Sequence, residues 1–81
     1  MMEKLLLGSP ASKIFRALQH ENASIGAREL GYILMAEFPN ISPAASMSIR
    51  KWLNPAMEEE FPDEQIDALI LHYLKEAGYV T

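Results

Sequence analysis

No cysteine occurs among the 81 residues, which excludes disulfide bridges and thiolate metal sites. Long apolar runs are missing as well. Leu5-Leu6-Leu7 falls far short of the about 20 residues of a membrane span or the about 7–15 of a signal-peptide core. A cytoplasmic protein with no membrane attachment is the expectation. Glycine is sparse, and Gly26 and Gly31 stand too isolated to form a phosphate-cradling loop. Histidine is limited to His20 and His72, neither in the H-E-x-x-H spacing that gathers metal ligands. A small helical chain also offers little of the cavity and strained turn that a nucleophile–base pair needs. No enzyme, cofactor or metal is expected.

What remains is the composition of a folded domain: 49% hydrophobic and 22% charged, too apolar for disorder. At roughly 100–200 residues per domain, residues 1–81 form one. A chain this short buries only about 60–65% of its unfolded surface, so clean helical faces and good helix ends, or a partner, must supply the margin.

Charge is unevenly placed. Residues 58–81 carry seven acids against Lys75 alone, a net of −6, while the first 57 residues carry six bases against four acids, a net of +2. Together these make the net charge of −4. An acidic total opposes bulk non-specific nucleic-acid binding but leaves room for a locally basic face.

Apolar spacing predicts four helices and an all-α fold. The first spans about residues 10–20, with Ser9 as N-cap, Pro10 at the first position and Ile14, Phe15 and Leu18 inward. The second starts after Ser24 as N-cap and buries Ile25, Leu30, Ile33, Leu34 and Phe38, until Pro39 stops it. Gly26 and Gly31 within it point to close approach of a neighbouring helix. The third covers about residues 43–53, with Ala45, Ile49, Trp52 and Leu53 inward. The fourth opens at Pro62-Asp63 and buries Ile66, Leu69, Ile70, Tyr73, Leu74 and Ala77, with Gly78 as terminator. Residues 1–8 suit a strand, a helical turn or a loose arm. Tyr79-Val80-Thr81 is β-prone and has residues 4–7 as its candidate partner in a short ribbon.

Three segments, Ala27-Arg28-Glu29-Leu30-Gly31, Phe38-Pro39-Asn40-Ile41-Ser42 and Ser46-Met47-Ser48-Ile49-Arg50-Lys51-Trp52-Leu53, together loosely resemble a helix-turn-helix. The resemblance implies a DNA-binding regulator reading through residues 42–53. Ser42, Ala44, Ser46, Met47 and Arg50 would face a groove and Lys51 a phosphate, with Arg28 nearby on the preceding helix. The first helix and turn are longer than in the compact motif, and the third helix holds few base-reading side chains.

A second class of function is contact with another protein, and the net charge favours it. Leu71 lies about 100° from Ile70 on a regular helix, off the apolar stripe. Met35 sits beside the second helix's stripe, and Met47 and Met57 frame the third helix. Methionine adapts readily to partner surfaces. Glu58, Glu59 and Glu60 supply an acidic patch for a basic partner, although acids there also stabilise the start of the fourth helix. The interface expected from sequence is thus Leu71, Met47, Met57, Glu58, Glu59 and Glu60, serving a protein partner or a second copy. The alternative, DNA, rests on Arg28, Ser46, Arg50 and Lys51.

Overall fold

The computed structural model of the chain describes residues 2–54 and 61–80. Periodicity is realised as four α-helices in this part of the chain: α1 (Ala11–Glu21), α2 (Ala27–Glu37), α3 (Ala44–Leu53) and α4 (Asp63–Glu76). A 3-10 helix, Glu3–Leu7, precedes them, and no strand occurs among the described residues. The architecture is all-α.

The helix ends are made differently from the local prediction. Pro10, not Ser9, occupies the position before α1, and no side chain of its own segment caps the helix. Instead the Ser12 backbone N–H donates to Asp67 Oδ1 of α4 at 2.7 Å. The cap therefore comes from the other end of the chain. Ser24 is not the cap of α2. Its N–H and hydroxyl both donate to Asn22 Oδ1, at 3.1 and 2.6 Å, closing a tight turn. Gly26 takes the cap position, outside the helix, and its N–H donates to Glu29 Oε1 at 2.9 Å. At α3 the Ser42 hydroxyl oxygen accepts from the Ala44 N–H at 3.2 Å, as a serine at a helix start should.

The core is one cluster built from every helix. Phe15, Leu30, Leu34, Ile49, Ile66, Ile70 and Leu74 are fully buried, joined by Ile14, Leu18, Phe38, Ala45 and Trp52. The first residues are a helical turn and not a loose arm, since Met2 and Leu5 are buried in the same cluster. Ile41, in the connection before α3, is buried too. Leu69 is only half-buried, against the expectation that it faces inward. Gly78 has the predicted left-handed conformation, with φ of 88°. Tyr79 and Val80, the described residues after it, form no ribbon. Tyr79 turns back onto Phe38 with ring centroids 4.9 Å apart, and its hydroxyl accepts from the Asn40 N–H at 3.0 Å.

Two contacts set how the helices lie. A Cβ on Gly31 would sit 2.8 Å from the Ser46 Cβ, so α2 and α3 touch where only glycine leaves room, as the sequence suggested for this residue. On the other side of α3, Trp52 is the hub. Its Nε1–H donates to Asp63 Oδ1 at 3.1 Å, and the Arg16 guanidinium lies 4.9 Å from its ring centroid. Arg16 also donates to both carboxylate oxygens of Asp63 through its two terminal guanidinium nitrogens, tying α1 to the start of α4. Arg16, with Asp63 as its hydrogen-bonded partner, therefore joins α1, α3 and α4.

Candidate nucleic-acid interface

On α3 the buried residues Ala45, Ser48, Ile49 and Trp52 face the core, and Met47, Arg50, Lys51 and, just past the helix end, Asn54 are left exposed. Arg50 lies two residues from Trp52, about 200° around a regular helix, so it points away from the Trp52–Asp63 contact. The first turn of α2 lies beside the last turn of α3. There Ala27, Arg28, Glu29, Arg50, Lys51 and Asn54 line a shallow open groove of about 460 Å³. Three of the four residues predicted for nucleic-acid contact, Arg28, Arg50 and Lys51, are thus brought together from two helices.

The electrostatics of this groove are positive. Arg50 and Lys51 have no ion-pair partner among the described residues. Arg28 donates from Nε to the Tyr32 hydroxyl at 2.9 Å, and its guanidinium lies 5.5 Å from the Tyr32 ring centroid. That hydrogen bond pushes the Arg28 pKa further above its ordinary value. The one acid in the lining, Glu29, is held by the Gly26 N–H.

Three of the four acids of α4 are engaged elsewhere. Asp63 bonds Arg16 and Trp52, and Asp67 caps α1. Glu76 meets His72 Nε2 at 2.9 Å, one turn away. The Arg16 guanidinium, and after it the Trp52 N–H, hold the Asp63 carboxyl below its ordinary pKa, because both stabilise the charged form.

Ser46, the fourth predicted contact, does not reach the groove. It packs against Gly31, and its hydroxyl donates to the Pro43 carbonyl at 2.9 Å. The small side chain is there to let the helices approach. Asn54 and Tyr32 belong to the site and were missed. Asn54 directly follows the predicted third helix, and Tyr32 was not singled out, although its i, i+4 spacing from Arg28 was visible.

Of the residues predicted to contact protein, Met47 is 58% exposed and Leu71 41% exposed. They do not share a groove. Leu71 lines a mostly apolar cleft with Leu5, Pro10, Asp67, Ala68 and Leu74, and Leu6 and Leu7 of the 3-10 helix are exposed. Met35 is partly buried against the core. Met57, Glu58, Glu59 and Glu60 lie outside the described residues.

His20 and His72 are exposed, and no cluster of metal-ligating side chains occurs among the described residues. None of the helices described is long and apolar enough to cross a membrane. No family model, curated protein or solved structure matches the chain.

Proposed function

We propose that the protein is a small, non-catalytic DNA-binding regulator that acts in the cytoplasm and contacts DNA through the outward side of α2 and α3. One observation carries this reading. Arg28, Arg50 and Lys51 line a single groove on the side of α3 opposite Trp52, while Asp63 and Asp67 are spent on internal bonds. A chain of net charge −4 can bind a polyanion when its bases are gathered on one face and its acids face elsewhere.

The test is a titration of labelled duplex DNA at low ionic strength, where phosphate attraction is strongest. Binding should appear there, fall steeply with added salt, and weaken in Arg50→Ala and Lys51→Ala. Loss of the Lys51 phosphate contact should reduce the slope of log affinity against log salt by about 0.9. Absence of binding at low salt refutes the proposal.

Protein contact is the second reading, and Leu71 is the observation that favours it. It is exposed at a cleft between the 3-10 helix and α4, and Leu6 and Leu7 of that 3-10 helix are exposed as well. An exposed leucine at such a cleft suits a second copy of the chain meeting it around a two-fold axis. Sedimentation of the wild type and of Leu71→Glu tests this. A dimer dissociated by Leu71→Glu, with each monomer still helical, supports it, and a monomeric wild type refutes it.

A further inference from the structure

The exposed side of α3 carries two chemically distinct sets of side chains. Met47, Arg50 and Asn54 recur at i, i+3 and i+7 and form one outward stripe. Lys51 and, from α2, Arg28 border it at the groove. Resting on the DNA-binding reading above, we infer that this stripe reads base edges in the major groove of duplex DNA, and that Lys51 and Arg28 hold the flanking phosphates. The residue types match the groove's chemistry. A guanidinium donates two hydrogen bonds to guanine O6 and N7, a carboxamide bonds adenine N6 and N7 as donor and acceptor, and a thioether can lie against a thymine methyl.

The dimensions agree. Seven residues at about 1.5 Å per residue span about 10 Å, which is about three base pairs at 3.4 Å each. Arg50 meets no acid among the described residues, whereas Arg16, on α1, is committed to Asp63 and Trp52. Asn54 sits at the C-terminal end of α3, where its backbone N–H is already satisfied by the Arg50 carbonyl at 2.8 Å, and its exposed side chain lines the groove. Ser46 is excluded from reading by its packing on Gly31.

The experiment selects bound sequences from a duplex pool with a randomised centre, using the wild type, Arg50→Ala, Arg50→Lys, Asn54→Ala and Lys51→Ala. All substitutions are at exposed positions, and circular dichroism verifies that each variant is helical. The wild type should enrich a short motif holding a guanine and an adenine. Arg50→Lys should keep the salt dependence yet lose about tenfold or more of the preference at the guanine, because an ammonium cannot form the paired hydrogen bonds. Asn54→Ala should relax the adenine position alone. Lys51→Ala should weaken all sequences alike and lower the salt slope. Four outcomes overturn the assignment while leaving DNA binding standing: no enriched motif, an unchanged motif in Arg50→Ala, an unchanged motif in Asn54→Ala, or tighter binding to single strands. Failure of every duplex to bind at low salt refutes the underlying reading as well.

Discussion

Arg16 and Arg50 are both exposed arginines on helices, yet they do opposite work. On the α1–α4 side, Arg16 meets Asp63 and the face of Trp52, Asp67 accepts the Ser12 N–H, and His72 meets Glu76. On the α2–α3 side, Arg50 and Lys51 meet no acid among the described residues. A total charge of −4 conceals this division. Where charges are paired across helices they hold the fold, and where they are left over they are available to a partner. The residue type is the same, and its neighbours decide its role.

The sharpest way to break the first side is in its core. Ile70→Ala removes a fully buried side chain and should destabilise by about 2–5 kcal/mol, read from a denaturant midpoint. In a domain this small that is a large part of the total stability. Leu69→Ala, next to it on α4 but only half-buried, should cost about 1 kcal/mol or less. Equal costs at the two positions would show that α4 is rotated from the orientation described.

A smaller effect is expected at the cap that α4 lends to α1. Asp67→Ala leaves the Ser12 N–H without its acceptor and should cost about 1 kcal/mol, the usual worth of a helix cap. Asp67→Asn should recover part of this, because an amide oxygen still accepts. Failure of both to move the midpoint would make the contact incidental.

The Arg16–Asp63 contact gives a dependence on pH. Because Asp63 titrates lower in the folded chain than in the unfolded one, its contribution is complete above the unfolded carboxyl range, near pH 4. It is lost as pH falls through the lower, folded value. Thermal midpoints measured from pH 7 down to pH 2 should therefore fall less in Asp63→Asn than in the wild type. The pair is largely exposed, so the difference should be modest and should shrink in salt.

The smallest effect on folding belongs to the second side. Arg50→Ala and Lys51→Ala should change stability by no more than about 0.5 kcal/mol, since both side chains are exposed and neither has an ion-pair partner among the described residues. Their effect should appear in DNA binding alone. A large loss of stability at either position would erase the contrast between the two sides.

Most of the fold was legible because helical periodicity is local. Ile14, Phe15 and Leu18, or Ile66, Ile70 and Leu74, declare a buried face within a few turns of chain, and the structure buries all six. Gly31 was legible as a point of close approach because glycine is poorly chosen for a helix interior unless something needs the room. Arg28, Arg50 and Lys51 were named together in the sequence through the resemblance to a helix-turn-helix. Ser46 was misread for the same reason. Spacing placed it at the helix surface, but the surface there is covered by α2.

Helix content, the buried stripes and the Gly78 termination were therefore set by the order of residues, because each depends on neighbours within about one or two helical turns. The cap on α1 was not, since Ser12 and Asp67 are 55 residues apart and nothing near Ser12 announces its acceptor. Nor was the fate of the charges. Whether an arginine is neutralised or left for a partner depends on through-space distance to acids on other helices. Only the packing of α1, α3 and α4 around Trp52 gave Arg16 an acid, and only the packing of α2 on α3 set Arg28 beside Arg50 and Lys51.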